Sequence, residues 1–211
     1  MKRLYIIFIF YLLFTSLCWS KDVTWYDLLE RDGLYYEKSN NVPFTGAIIG
    51  KEEGKIINGK REGEWLEYWG NGQLYSQRTY KDGKYEGEYF SYYESGQLNI
   101  NVNYTDGKKD GELLDYYESG QLNWKEKYIK GKIDGESLIY YETGQLWYKT
   151  NFKNGKRHGM YLKYNSKGKL IEKKIYKDGN IDGEWLRYYD NGQLIEKTIY
   201  EDGKLIEIIK P

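Results

Sequence analysis

From Gly59 onward the apolar and polar positions of the chain return every 24 residues, through six periods without insertion or deletion. Within the period Gly83 to Asp106, Glu88-Tyr89-Phe90-Ser91-Tyr92-Tyr93 has the composition of a strand and Glu94-Ser95-Gly96 that of a turn. Gln97 to Tyr104 reads as a second strand, and Asp106-Gly107 opens the next reversal. Asp-Gly and Asn-Gly pairs accept positive φ cheaply and so mark tight turns. They stand at Asn71-Gly72, Asp82-Gly83, Asp106-Gly107, Asn154-Gly155, Asp178-Gly179, Asn191-Gly192 and Asp202-Gly203. Each unit therefore predicts a hairpin, and successive hairpins an antiparallel meander. Loops ordinarily drift in length at little cost, so the fixed period means that each unit docks on the last in one geometry.

Alternate residues of a strand share a face, and parity then sorts the repeat into two sides. The first strand carries Leu66, Phe90, Leu114, Leu138, Leu162 and Leu186, and two residues on Tyr68, Tyr92, Tyr116, Tyr140, Tyr164 and Tyr188. In the second strand Leu74 and its equivalents precede Tyr80, Tyr104, Tyr128, Phe152, Tyr176 and Tyr200 by six residues. This reading places Leu66, Tyr68, Leu74, Tyr80, Leu114, Tyr116, Leu186 and Tyr188 in a repeating core layer. The opposite face varies from unit to unit. Its aromatics Trp65, Trp69, Tyr89, Tyr93, Tyr117, Tyr141, Tyr161, Trp185 and Tyr189 are the candidate partner-binding residues, because a solenoid writes specificity where its framework is free to change. Packing against cross-strand neighbours is the alternative role for the same aromatics.

The ends depart from the period. Met1-Lys2-Arg3 followed by the apolar run Leu4 to Leu17 and by Cys18-Trp19-Ser20 predicts a secretory signal peptide over 1–20, cleaved near Ser20. The run is shorter than the roughly 20 residues of a membrane span. Residues 21–58 form a divergent amino-terminal cap, with a short helix expected between Asp22 and Glu30 and strands at Leu34–Tyr36 and Phe44–Ile49. Residues 59–202 hold the six repeats, and 203–211 begin a truncated seventh. The only cysteine, Cys18, leaves with the leader, so the exported chain has neither disulfide nor cysteine metal site. With 32 basic and 32 acidic residues, no overall basic field points to nucleic acid. Twenty-five Tyr, 7 Trp and 24 Gly against 2 Pro favour strands and tight turns over disorder.

Catalytic groups are scarce. His158, the only histidine, occupies the slot held elsewhere by Glu62, Glu86, Asp110, Asp134 and Asp182, and reads as a turn residue. Glu64, Glu88, Glu112, Glu136 and Glu184 follow the repeat, whereas a catalytic carboxylate pair would break it. These glutamates are expected to serve the turn. No catalytic residue, metal site or cofactor is expected.

The string Gly-Lys-x-x-Gly-Glu-Trp-x-x-Tyr-Tyr-x-x-Gly-Gln-Leu, most nearly met at Gly83–Leu98, Gly107–Leu122, Gly131–Leu146 and Gly179–Leu194, resembles the MORN-repeat family in its bacterial long-period variant. The segments Arg31–Tyr36 and Val42–Gly46 look like the lead-in of exported proteins of that group, often labelled YwqK-family antitoxins. The resemblance implies an all-β, elongated antiparallel β-hairpin array behind the signal peptide. Its implied role is a non-enzymatic scaffold that is exported to the periplasm, cell surface or medium and binds a protein partner, with toxin neutralisation one form of that role. Rows of Trp and Tyr also suit sugar stacking, which makes glycan or cell-wall binding the alternative and membrane-lipid association the third.

Overall fold

The computed structural model describes residues 21–211; the expected leader over 1–20 lies outside the described residues. Strand β1 (Lys21–Val23) leads into a single 3-10 turn (Trp25–Asp27), followed by β2 (Leu28–Arg31), β3 (Leu34–Glu37), β4 (Gly46–Ile48) and β5 (Glu52–Ile57). The helix expected between Asp22 and Glu30 is thus replaced by two strands and one 3-10 turn. Thr24 donates both its backbone N–H and its hydroxyl to Asp27 Oδ2, at 2.9 and 2.8 Å. Those bonds hold the Asp27 carboxyl below its ordinary pKa. The turn stops there because Leu28 returns to extended backbone, φ −106° and ψ 160°.

The six units follow as strand pairs. They are β6 (Lys60–Tyr68) with β7 (Leu74–Lys81), β8 (Lys84–Tyr92) with β9 (Leu98–Thr105), and β10 (Lys108–Tyr116) with β11 (Leu122–Ile129). Then come β12 (Lys132–Tyr140) with β13 (Leu146–Lys153), β14 (Lys156–Tyr164) with β15 (Leu170–Lys177), and β16 (Asn180–Tyr188) with β17 (Leu194–Glu201); β18 (Lys204–Ile209) is the outermost strand. Sixteen strands join in one sheet in chain order, with β2 and β3 set apart as a two-stranded sheet. Among the described residues only β1 and β4 pair in parallel, and every other pair is antiparallel. At a strand spacing of about 4.8 Å each unit advances about 10 Å.

Two kinds of reversal alternate. The short one, Asp82-Gly83 in the first unit, has both central residues at positive φ, 52° and 80°, the type I′ arrangement whose twist matches a hairpin. Its equivalents are Asp106, Asn154, Asp178 and Asp202, each followed by Gly, and Lys130 at φ 50° takes the same conformation in the third unit. The longer one closes through Trp69 N–H to Gln73 O at 2.7 Å and Gly72 N–H to Trp69 O at 3.0 Å. There Gly72 has positive φ, so Asn71-Gly72 belongs to the longer turn and not to a two-residue reversal.

The strand faces differ from simple parity. In the first unit Glu67 faces Ser76 while the next residue, Tyr68, faces Leu74, which leaves Tyr75 as an extra residue. The same shift recurs in all six units. One extra residue exchanges the two faces of everything beyond it. Leu74 therefore shares a face with Tyr68 and Leu66, and Tyr80 lies on the opposite face with Gly63 and Trp65.

The face carrying Tyr80 is the inner one. A row of directly paired residues crosses the twelve repeat strands on it: Trp65, Arg78, Tyr89, Val102, Leu113, Glu126, Ser137, Thr150, Tyr161, Lys174, Trp185 and Thr198. Trp65 is 0 % exposed, Val102 2 % and Leu113 4 %. Among the described residues the one other sheet is β2–β3, so in units two to six the row is covered by neighbours of its own sheet, whose twist and bulges bring them together. The expected core layer is accordingly corrected. Tyr80 is buried, whereas Leu66, Tyr68, Leu74, Leu114, Tyr116, Leu186 and Tyr188 are half-exposed on the outer face. At the amino-terminal end Val23, Leu28, Phe44, Ile48 and Ile56 close a small core over Trp65 and Tyr80.

Candidate interaction surface

The candidate aromatics divide into two groups. Trp65, Tyr89, Tyr161 and Trp185 point inward. Trp65 stacks on Trp25 at 5.7 Å between ring centroids and meets Tyr80 edge-on at 5.9 Å. The Arg61 guanidinium stands 4.5 Å over its ring, and Arg61 reaches Glu52 at 2.8 Å and the Tyr80 hydroxyl at 2.9 Å. Arg78 also pairs with Glu52 and, at 3.1 Å, with Glu67. These contacts lock the cap to the first unit, and Trp65 offers no surface to a partner. Tyr89 lies between Tyr85 and Tyr104, at 6.2 and 6.3 Å. Trp185 donates its indole N–H to Glu172 Oε1 at 2.8 Å under the Lys174 ammonium at 4.4 Å. Burial pushes the Tyr161 phenol well above its ordinary value, helped by the nearby Glu172 charge. The residues that vary between units thus fill the interior row, where large and small neighbours complement one another.

Trp69, Tyr93, Tyr117, Tyr141 and Tyr189 begin the longer turns. Tyr93 donates its hydroxyl to the Tyr116 carbonyl at 2.7 Å, Tyr117 to that of Tyr140 at 2.8 Å and Tyr141 to that of Tyr164 at 3.0 Å. Trp69 does the same with its indole N–H to the Tyr92 carbonyl at 3.1 Å. Each of these four aromatics therefore fastens its own turn to the strand end of the next unit, 23 residues on, a step set by the period. In unit five Asn165 replaces the aromatic and bonds Asp190 at 2.9 Å. Tyr189 is 54 % exposed and borders an open hollow of about 650 Å³ with Tyr188, Asp190, Asn191, Gln193 and Ile195.

His158 sits in a turn-supporting slot. Glu62, Glu86 and Asp134 accept the backbone N–H of Asp82, Asp106 and Asn154 at 2.8–2.9 Å, Asp182 accepts that of Asp202 at 3.2 Å, and His158 Nδ1 lies 3.5 Å from the N–H of Asp178. The second glutamate row has a different task from the turn role expected of it. Glu112 pairs with Lys125 at 2.7 Å, Glu136 with Lys149 at 2.5 Å and Glu184 with Lys197, while Glu64 accepts from Gln77 at 2.6 Å. These are cross-strand contacts on the outer face. Among the described residues no cluster of His, Cys, Asp or Glu has the makings of a metal site, and no helix is long and apolar enough to cross a membrane.

Two interior carboxylates stand out. Glu126, 5 % exposed, accepts from the Tyr128 hydroxyl at 2.6 Å and from Ser137 at 3.1 Å. Burial raises the Tyr128 phenol, and its bond to Glu126 adds to the rise. Burial also raises the Asp115 carboxyl against the lowering effect of its bond from Asn123. Hydroxyl bonds within the sheet account for Glu126.

The outer face is the one on which every unit repeats the same partly exposed side chains, although Tyr89, Tyr161 and Trp185 of the inner row are partly exposed as well. There Leu66 and Tyr68, with their equivalents in every unit (Phe90 for the first leucine in unit two) and the leucines Leu74 to Leu194, stand partly exposed in three parallel rows. Tyr68 gives its hydroxyl to Glu53 at 3.4 Å. Sequence parity missed this surface because the bulge at Tyr75 hides the exchange of faces; the one signal for it is that both strands of a unit carry a fixed leucine at their turn-proximal ends.

A family model for the MORN repeat variant matches residues 61–82, 85–106, 133–154, 157–178 and 181–202. No curated protein matches the chain. MORN repeats are generally involved in protein or membrane-lipid association and form non-catalytic scaffolds. The third unit lies outside the match yet keeps the same two strands, bulge and turn aromatic as its neighbours. On the repeats it shares with that model, over more than half its length, the chain belongs to the MORN repeat variant family.

Proposed function

We propose that the chain is a non-enzymatic, exported scaffold that holds a protein partner along its outer face. The observation that carries this is the partly exposed Leu-Tyr-Leu pattern, with Phe90 for its first leucine in unit two, over six units on the side away from the buried row. A soluble chain seldom leaves so extended an apolar surface without use, and tyrosine supplies large contact area at low entropic cost. Export rests on the leader read over 1–20, and toxin neutralisation is the finer form that the resemblance to exported antitoxin-like proteins suggests. Capture from an envelope extract by the full chain is the test, with Tyr92, Tyr116 and Tyr140 each changed to Ser in one variant. Capture is expected to vanish while the melting curve stays close to that of the wild type; capture that survives the triple change rules the outer face out. The regular step of the outer tyrosines also suits ring stacking on a repeating sugar, so a glycan array run in parallel separates the second reading.

A further inference from the structure

Unit five breaks the period in one direction. Between Lys149 and Lys177 the chain carries ten Lys and Arg against a single acid, Glu172, whereas residues 86–119 carry eight acids against two lysines. Four positions of the unit depart from the repeat, and three of these shift its charge. Lys169 stands where the other units have Gln, His158 where they have Glu or Asp, and Met160 where they have Glu; Asn165 replaces the turn aromatic without a change of charge.

The Met160 change has a structural consequence. Lys125, Lys149, Lys173 and Lys197 occupy one cross-strand row on the outer face, separated by Leu138, Leu162 and Leu186. Three of them have a carboxylate from their own hairpin: Lys125 from Glu112, Lys149 from Glu136 and Lys197 from Glu184. Lys173 faces Met160 in that position, and Glu184 on the following strand is already held by Lys197. Lys153 and Lys177 lie on the same face as Lys149 and Lys173, four residues further along β13 and β15, which is about 13 Å at strand rise. Lys177 reaches Asp182 at 3.6 Å. The four lysines frame a stretch of β14 that starts at Leu162, directly between Lys149 and Lys173, and runs past Met160 to Lys156 beside Lys153; the exposed Lys167 and Lys169 flank it at the longer turn.

We propose that this area of unit five docks an acidic segment of a partner protein, an extended stretch rich in Asp and Glu whose intervening apolar side chains meet Leu162 and Tyr164. The proposal rests on the reading of the outer face as the binding face and adds the chemistry of what binds there. Charge complementarity is the argument: the unit has lost the acids that neutralise its neighbours while keeping their leucines. Exposed charges of this kind set encounter and partner choice more than affinity, and their effect fades with salt.

The test is fluorescence anisotropy of a fluorescein-labelled decaglutamate peptide with the full chain at low ionic strength. Met160→Glu gives unit five the carboxylate of its neighbours at a position already 46 % exposed. It is expected to weaken binding by up to about fivefold, the upper limit for one exposed pair. Joint Lys153→Glu and Lys173→Glu is expected to abolish binding, with the circular dichroism melt as the check on folding, and Lys169→Gln with Lys173→Gln as the milder pair should that variant unfold. Absence of peptide binding, or binding indifferent to these lysines, overturns the proposal. So does equal, lysine-dependent capture by phosphatidylglycerol vesicles, which would assign the patch to a membrane surface. If the peptide fails while partner capture through Tyr92, Tyr116 and Tyr140 persists, only the acidic assignment falls; loss of both removes the outer-face reading with it.

Discussion

Trp65 lies with its indole against the backbone of Gly54, where a Cβ would come within 2.2 Å of Trp65 Cδ2. Stacking on Trp25 and the Arg61 guanidinium fix the other side. Trp65→Ala is therefore expected to cost about 3–5 kcal/mol in denaturant unfolding, the range for truncating a buried aromatic. A loss below about 1 kcal/mol would mean that the cap does not depend on it. The turn tyrosines allow a finer measurement. Tyr117→Phe removes the hydroxyl that satisfies the Tyr140 carbonyl at 2.8 Å and should cost about 0.5–1.5 kcal/mol. Tyr189→Phe, at a ring 54 % exposed on the last turn, should cost almost nothing. Equal effects from the two would deny the turn-to-strand fastening any energetic weight.

Within each hairpin, what the sequence disclosed depended on whether a pattern survives one extra residue. Turn positions survive it: Asp82-Gly83 and its equivalents fall where the Asp-Gly and Asn-Gly pairs indicate. His158 also falls in the turn slot that its place in the period implies. Facing does not survive, because Tyr75 and its equivalents exchange the two sides of the second strand. Counting by twos from Leu74 to Tyr80 thus joined residues that lie on opposite faces, and the varying residues, read as outward, line the interior. Nor did composition announce the bonds from turn aromatics to the next unit, since a tyrosine at a strand end looks the same with or without an acceptor. Lys130 is the one short-turn residue of the repeats that is neither Asp nor Asn, yet its φ is 50°. Asn visits that conformation at lower cost than Lys. Lys130→Asn should stabilise the chain by about 0.5–1 kcal/mol, read as a raised denaturation midpoint at unchanged slope; a neutral result would show that the third unit tolerates lysine there without strain.

Across the repeats each strand pairs its backbone only with its neighbours in chain order, so stability approximates a sum of unit and interface contributions. Removal of Gly107 to Lys130 tests this directly. The cut joins Asp106 to Gly131 and so recreates an Asp-Gly short turn, brings β9 beside β12, and offers the Tyr93 hydroxyl the Tyr140 carbonyl in place of that of Tyr116. The excised unit takes Glu126 with it, so Ser137 loses the carboxylate it now serves but leaves no charge unpaired. On the inner row Val102 would then meet Ser137 in place of Leu113, a smaller contact that should lower the melting temperature modestly while the β-rich circular dichroism spectrum persists. Deletion of Val102 alone is the counterpart. It removes one residue from the middle of β9 and turns the remainder of that strand over, placing Asn103 inward and Tyr104 outward. The chain should therefore tolerate the loss of 24 residues better than the loss of one; the opposite order of melting temperatures would mean that the units do not dock through a fixed register.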